Sequence, residues 1–227
     1  MNSAARLILV LAALAAGCSP DLREATGPLI PTPNVSGHVL RGDLPVSDQK
    51  VKLERADSTW AEDRTDIGGA FGFVVGDSGV WTLRVDSTQP DDFARVSYEF
   101  SLASPDAKPQ IPTLDLSRHG LAPREPSAGE GHPVPSLFEP LRFRWDQSEP
   151  PARLEVRVYT EAFEPVWFST QLQDDRMEWN GLGNQGRFRG RFAEAGAYRW
   201  RIVVDGAGAL RMTTGWNELI LQQGGVR

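Results

Sequence analysis

Four carboxylates are concentrated in one short polar stretch, residues 57–66, where they could form a cation site. They are Asp57, Glu62, Asp63 and Asp66. Carboxylate oxygens are ligands that Ca²⁺ prefers, but this spacing is not that of an EF-hand loop. The alternative is a hairpin loop whose charges are solvated, and the sequence favours that alternative. We therefore predict that the chain holds no metal ion and no other cofactor.

A glycine pattern, Gly181-Leu-Gly183-Asn-Gln-Gly186, matches the G-x-G-x-x-G spacing of dinucleotide sites. Such a site needs the pattern between a strand and a helix, because the helix N-terminus holds the pyrophosphate. The residues that follow, 187–196, show no helical period. The pattern therefore predicts a glycine-rich loop between two strands.

Histidine and serine positions give little support for catalysis. His38 alternates out of a predicted strand, and His119 and His132 lie in a Pro- and Gly-rich stretch. No two of them have the spacing of metal ligands, and no serine lies in a Gly-x-Ser-x-Gly elbow. An acid-pair hydrolase stays open as a third hypothesis, because a sequence does not show which carboxylates meet in space. Our prediction is that the chain is not an enzyme.

Two tryptophans could form a binding surface. Trp60 lies among polar residues, outside any alternating run, and Trp167 alternates with Val166 and Phe168. Exposed aromatic rings beside carboxylates are suited to a sugar ring or a partner chain. The alternative for Trp60 is that it folds back over the edge of a sheet. Trp216 follows a Thr-Thr-Gly turn, and its pattern assigns it to neither face.

The elements that would position these residues are strands throughout. Apolar and polar residues alternate in short runs, which are clearest at 35–39, 50–54, 71–75, 81–85, 96–102, 141–145, 154–158 and 198–204. Because successive side chains of a strand point to opposite faces, each run buries one face and exposes the other. Short strands separated by turn residues are typical of antiparallel β-sandwiches. The predicted fold class is all-β.

Stretches rich in Pro, Gly and Ser divide the chain. They predict a flexible tether at 18–33 and a linker at 119–136. Between and after them lie two segments, 34–118 and 137–223, each of a size suited to one small domain. The sequence therefore predicts two antiparallel β-sandwich domains joined by a Pro/Gly-rich linker.

The N-terminus has the composition of an export signal. Arg6 is followed by an uncharged apolar run, Leu7–Ala16. A helix of that length is too short to span, since about 20 residues are needed to cross a bilayer. The run therefore predicts a signal helix within residues 1–17.

The residues Ala15-Ala16-Gly17-Cys18 end that run and resemble the lipobox of bacterial lipoproteins. The resemblance implies cleavage before Cys18 and lipid attachment to its sulfur. Cys18 is the only cysteine, so it cannot form an internal disulfide. Ser19, where an Asp would favour inner-membrane retention in that family, implies the outer membrane. The alternative is an ordinary secretory signal with an incidental Cys18.

The first segment is similar to carboxypeptidase regulatory-like (transthyretin-like) domains. The residues that carry the resemblance are Gly37 and Val39, Pro45-Val46, the hairpin Thr65–Phe73 and the run Gly79–Val85. The resemblance implies a prealbumin-like sandwich without an active site. The second segment more loosely resembles fibronectin-III or Ig-like modules, through 143–146, 154–159 and 196–202. That resemblance implies architecture only.

The charge of the chain argues against nucleic acid as a partner. The formal net charge of −6 becomes −7 when Arg6 leaves with residues 1–17, and the arginines are interleaved with acids. Our leading hypothesis is an exported, membrane-anchored cell-envelope lipoprotein with a non-catalytic binding or spacer role. A carbohydrate-binding surface protein is the second hypothesis. The expected partners are the membrane, through the lipid, and a protein or glycan at the cell surface.

Overall fold

The computed structural model describes residues 31–126, 141–147, 153–169, 176–179, 194–206 and 208–222. In these ranges every regular element is a β-strand, and all strand pairs but one are antiparallel. The prediction of an all-β fold is confirmed. Within the described ranges, no helix has the length and apolarity to cross a bilayer. The predicted signal at 1–17, with Cys18 and most of the predicted tether, lies outside them.

The described ranges contain sixteen strands, eight in each half. The first half contains β1 (Val35–Arg41), β2 (Leu44–Pro45), β3 (Lys50–Arg55), β4 (Ser58–Arg64), β5 (Ala70–Phe73), β6 (Gly79–Asp86), β7 (Arg95–Leu102) and β8 (Leu114–Asp115). The second half contains β9 (Ala122–Glu125), β10 (Leu141–Asp146), β11 (Arg153–Thr160), β12 (Pro165–Phe168), β13 (Arg176–Trp179), β14 (Gly196–Asp205), β15 (Leu210–Thr213) and β16 (Asn217–Leu221).

In the first half, one sheet has the order β2-β1-β5, with β8 parallel to β1, and a second sheet runs β4-β3-β6-β7. Alternation decides which faces are buried. On β6 the side chains of Trp81, Leu83 and Val85 are completely buried, whereas Thr82 and Arg84 between them are partly exposed. Because cross-strand partners share a face, the register Val51↔Val85↔Val96 continues this apolar layer across three strands.

A tight turn between β4 and β5 closes the first half. The Asp66 carboxylate accepts hydrogen bonds from the backbone N–H groups of Gly68 and Ala70, at 2.8 and 2.9 Å. Gly69 adopts φ = 74°, a conformation that favours glycine, and its carbonyl accepts a hydrogen bond from Val39 of β1. The Asp and Gly of the hairpin pattern thus make the turn, and Phe71 and Phe73 then enter the core.

In the second half, the sheet β13-β10-β9 lies against strands β12, β11, β14 and β16. Aromatic contacts between the sheets form the core: the Phe143 ring of β10 stacks on Trp167 of β12 at 6.0 Å and meets Trp200 of β14 edge-on at 5.1 Å. Strand β9 lies inside the stretch 119–136 predicted as a linker. Pro123 is compatible with a strand there, because β9 is an edge strand and its outer N–H groups need no partner.

A strand pair joins the two halves. Strand β15 pairs with β14 on one side and with β7 on the other, in the register Leu210↔Tyr98, Arg211↔Ser97, Met212↔Val96 and Thr213↔Arg95. Among the described strands, the two halves therefore share one nine-stranded sheet, with β4 at one edge and β12 at the other. Residues Pro33–Arg227 accordingly form a single compact unit.

Candidate functional site

Trp60, the first predicted binding residue, lies on edge strand β4. Leu53 pairs with Ala61 and Glu54 with Thr59, so Trp60 is the extra residue of a β-bulge. Its side chain is 47% exposed, and its ring meets the buried ring of Trp81 edge-on at 5.2 Å. Trp60 thus folds back over the sheet edge, as the alternative predicted, and still leaves part of its ring in solvent.

Trp167, the second predicted binding residue, is completely buried, so the expectation that it is exposed is wrong. Tyr159 and Val158 are consecutive on β11, but their partners Pro165 and Trp167 are two residues apart on β12. Val166 is therefore the extra residue of a bulge, which turns Trp167 towards the core instead of the solvent. Trp60 and Trp167 do not form a shared platform.

Three of the four carboxylates of the stretch 57–66 are engaged separately. Glu62 forms an ion pair with Lys50 at 2.8 Å, Asp63 accepts hydrogen bonds from the N–H groups of Arg64 and Gly72, and Asp66 caps the turn described above. In the described ranges, no group of three or more His, Cys, Asp or Glu side chains could hold a metal ion. The arrangement gives no support to a calcium site at these residues.

A Ser–His–Asp contact occurs at the end of β8, but its geometry is not that of a catalytic triad. The Nε2 atom of His119 lies 2.9 Å from Ser117 Oγ and 2.9 Å from Asp115 Oδ2. A triad needs the two ring nitrogens to contact the nucleophile and the acid separately, so that one can take a proton while the other is held. Here one nitrogen makes both contacts. The Gly181–Gly186 pattern and His132 lie outside the described residues.

A groove of about 580 Å³ lies where β7 meets β15, on the outer face of the nine-stranded sheet. Glu99 and Asp205 are among its lining residues. The Asp205 carboxylate accepts a hydrogen bond from Arg211 Nε at 3.1 Å. An acid-pair hydrolase needs two carboxyl groups that face the substrate. Asp205 is instead engaged in an ion pair with Arg211.

The largest group of interacting aromatic and cationic side chains in the described ranges lies on the outer face of the second half. We call it the aromatic–arginine surface; it consists of Arg157, Tyr159, Phe163, Phe168, Arg199, Arg201 and Trp216. Strand pairing positions most of it, because Tyr159 lies opposite Arg199 and Arg157 opposite both Arg201 and Phe168. Phe163 and Trp216 are added from the β11–β12 and β15–β16 turns.

Rings and guanidinium groups alternate across this surface. The guanidinium of Arg201 lies 4.3 Å from the centre of the Trp216 ring, and that of Arg199 lies 4.7 Å from the centre of Phe163. The Phe163 and Trp216 rings are 5.3 Å apart. Such cation–π contacts are worth about 0.5–2 kcal/mol each, depending on exposure. The stack therefore holds its rings and charges in a fixed arrangement.

Phe163 and Trp216 are the rings of this surface that remain open to solvent, with exposures of 49% and 40%. Phe163 also adopts φ = 64°, a left-handed conformation that is uncommon for a bulky residue. Backbone strain of this kind costs on the order of 1–3 kcal/mol and often accompanies function. The turn thus keeps an aromatic ring exposed although its backbone conformation is unfavourable.

The arginines of the surface differ in their electrostatic surroundings. Arg157 donates a hydrogen bond to the buried carboxylate of Glu155 at 3.1 Å. Burial acts to lower the pKa of Arg157, but the hydrogen bond and charge of Glu155 raise it above its ordinary value. Burial lowers the pKa of Arg201, a hydrogen bond with Tyr159 acts to raise it, and the charges of Arg157 and Arg95 act to lower it. Arg201 is thus a partly desolvated cation among other cations.

Sequence reasoning missed this surface, although part of the signal is present. Arg199 and Arg201 alternate with the buried residues of β14, so their outward direction is predictable. The contributions of Phe163 and Trp216 are not, because a turn residue has no alternation that assigns it to a face. Their meeting depends on which strands pair, and a single sequence does not encode that directly.

The solved structures that are similar to this chain include two whose descriptions are informative. One is described as "Biofilm associated protein - BSP domain", with a TM-score of 0.28 and 14% identity over 84% of this chain and 29% of that chain. The other is the fibronectin(III)-like modules of Clostridium thermocellum CbhA, with a TM-score of 0.28 and 13% identity over 83% of this chain and 90% of that chain. No protein-family model and no curated protein matches the chain.

Proposed function

We propose that this chain is a cell-envelope lipoprotein, anchored through Cys18 to the outer membrane, whose joined β-sandwiches serve as a non-catalytic spacer and binding module. The observation that carries this proposal is the pairing of β7 with β15. Domains connected only by a linker move relative to each other by default. A shared ladder of backbone hydrogen bonds removes that freedom, which suits a module that holds a surface at a fixed position.

The anchor itself rests on the sequence. A single cysteine, placed directly after an apolar run and three small residues, fits lipidation and has no other evident use. One acyl chain gives only marginal attachment, so a lipoprotein of this type needs more than one. The carboxypeptidase regulatory-like character of the first half and the fibronectin-III or Ig-like character of the second belong to the same proposal.

Detergent partition and intact mass of the full chain, expressed in a bacterial host, test the anchor. We expect the wild type to begin at Cys18, to carry added acyl mass and to enter the detergent phase. A Cys18→Ser variant should stay in the aqueous phase. If both proteins are aqueous and are cleaved at a different residue, the chain is a secreted protein and the anchor is wrong.

Carbohydrate binding is a second candidate function, favoured by one observation. Phe163 and Trp216 are both exposed, and their ring centres are 5.3 Å apart. Trp60 and Trp167 do not form such a pair, because Trp167 is completely buried. Adjacent exposed rings offer apolar faces to a sugar while arginines beside them offer hydrogen-bond donors. A glycan array probed with the wild type and with Trp216→Ala tests this function. Signals that persist in the variant would place the binding outside this surface.

A further inference from the structure

We infer that the aromatic–arginine surface binds an anionic saccharide, whose sugar rings pack on Phe163 and Trp216 and whose carboxylate or sulfate groups are held by Arg199 and Arg201. The inference rests on the binding role in the proposed function, but not on the lipid anchor. It assigns the site and the charge of the ligand.

The geometry of Phe163 and Trp216 is the reason for inferring a sugar as the ligand. Phe163 and Trp216 contact each other edge to face, with an interplanar angle of 60°, and their exposures are 49% and 40%. The face of an aromatic ring is electron-rich and attracts the slightly positive C–H groups of a pyranose ring. Phe163 and Trp216 are each held by a guanidinium group on one face, so their exposed surfaces are positioned for a sugar before it binds.

The charges of Arg199 and Arg201 are the reason for inferring that the ligand is anionic. Arg157 has a carboxylate partner in Glu155, but neither Arg199 nor Arg201 forms an ion pair in the described part of the chain. Glu218 lies opposite Arg199 in the β14–β16 register, but the two side chains do not form an ion pair. Guanidinium groups bind carboxylate and sulfate oxygens through two parallel N–H donors. A bound anion would give Arg199 and Arg201 an acidic partner, which the described part of the chain does not supply.

The position of the aromatic–arginine surface on the sheet favours a saccharide over a peptide strand as the ligand. Strand β11 pairs with β12 and β14, and β14 pairs with β11, β15 and β16. The backbone groups of β11 and β14, beneath Tyr159, Arg199 and Arg201, are therefore used within the sheet and cannot pair with an added strand. Recognition over these two strands passes through side chains, and rings with guanidinium groups match the apolar faces and acidic groups of a uronic-acid polymer.

Calorimetric titration of the full chain carrying Cys18→Ser tests the inference, with oligogalacturonate as the first probe. Its methyl ester is the matched control ligand, because esterification removes the charges and keeps the rings. We expect the acid form to bind about tenfold more tightly than the ester, and its affinity to fall with added salt. Alginate and chondroitin sulfate extend the test to other uronic acids and to sulfate.

Variants locate the site. Arg199→Gln and Phe163→Ala should each raise the Kd for the acid form by about fivefold or more, since each removes one recognition element. Trp60→Ala and Arg64→Gln remove an exposed ring and an exposed cation elsewhere and should leave the Kd within about twofold. Near-UV circular dichroism confirms that each variant keeps its fold.

Three results would overturn the inference. The first is no binding of oligogalacturonate, alginate or chondroitin sulfate. The second is that the acid and the ester bind with equal affinity, or that the Trp60→Ala and Arg64→Gln controls lose as much affinity as the Arg199→Gln and Phe163→Ala variants. The third is tighter binding of polyglutamate or oligothymidylate than of any of these saccharides, which would assign the surface to an acidic peptide or to single-stranded nucleic acid. The anchor is unaffected by all three, because partition and mass report it separately.

Discussion

Arg41 of β1 clamps the carboxylate of Asp92 from two directions: its Nε lies 2.7 Å from Oδ1 and its Nη2 lies 2.8 Å from Oδ2. The hydroxyl of Ser87 donates a third hydrogen bond to the same carboxylate, at 2.6 Å. The Asp92 side chain is only 1% exposed. The contact joins the end of β1 to the loop between β6 and β7, so it connects the two sheets of the first half.

Asp92→Asn should destabilise the protein by on the order of 2–3 kcal/mol, because it removes a buried charge and leaves Arg41 with one poor acceptor. Urea denaturation followed by tryptophan fluorescence measures the change. Asp48→Asn is the control, since the Arg64–Asp48 pair is exposed and such pairs contribute about 0–1 kcal/mol. Equal losses in the two variants would contradict the role assigned to burial.

Stability should fall in acid, and Asp92 should contribute to the fall. Burial acts to raise the pKa of Asp92, but the hydrogen bonds from Arg41 and Ser87 lower it below its ordinary value. Arg84 and Arg95 likewise lower the pKa of Asp86 against the effect of burial. A carboxyl group whose pKa is lower in the folded state stabilises the fold at pH values above its unfolded-state pKa, which is about 3.9 for Asp. This stabilisation is lost as the pH falls through the folded-state pKa.

Unfolding free energies measured at several pH values between about 6 and 2 check this dependence. The wild type should lose stability progressively below about pH 5, and Asp92→Asn should show a shallower loss over the same range. A variant as steep as the wild type would mean that other carboxylates cause the acid sensitivity.

Gly69→Ala should cost about 2 kcal/mol or more, for two reasons. Gly69 has φ = 74°, and an added Cβ would lie 2.5 Å from the carbonyl oxygen of Val39. That oxygen cannot move freely, because it accepts a hydrogen bond from Val46.

Gly42→Ala is the matched control for Gly69→Ala. Gly42 has a similar φ of 63°, but nothing lies within 4 Å of an added Cβ. The control should cost about 1 kcal/mol, from the backbone conformation alone. Thermal denaturation compares the two variants, and equal shifts in Tm would show that the contact with Val39 is unimportant.

The sequence predicts the local features of the fold well. Alternation on β6 and β10 identifies the buried residues, and the Thr65–Phe73 pattern identifies the turn, because strand period and turn chemistry are properties of neighbouring residues. Prediction from the sequence fails where one extra residue changes the register of a strand pair. The bulge at Val166 reverses the direction of Trp167, and no pattern in β12 marks it.

Long-range pairing is the other limit of prediction. Strands β7 and β15 are separated by more than a hundred residues, and the composition of the segment between them suggests a linker. Edge strands carry unpaired backbone groups that any other edge can satisfy. Which two edges meet therefore depends on the whole packing, and the aromatic–arginine surface depends on it in the same way.

Trp167→Phe should destabilise the protein more than Trp60→Ala does. Trp167 is completely buried and stacks on Phe143, so the smaller ring leaves a cavity, at a cost of about 2 kcal/mol or more. Trp60 loses mainly its edge-on contact with Trp81, worth about 1 kcal/mol. Urea denaturation ranks the two variants, and the reverse order would contradict the bulge at Val166.

Arg211→Pro tests the pairing that joins the two halves. Arg211 lies between Ser97 of β7 and Asp205 of β14, so proline removes an N–H donor from the interior of the sheet. Because the ladder couples the halves, the wild type should unfold in one calorimetric transition and the variant in two. Arg211→Ala is the control: it removes the exposed ion pair with Asp205, keeps the backbone donor and should retain a single transition. Two transitions in the wild type would mean that the shared sheet does not couple the halves.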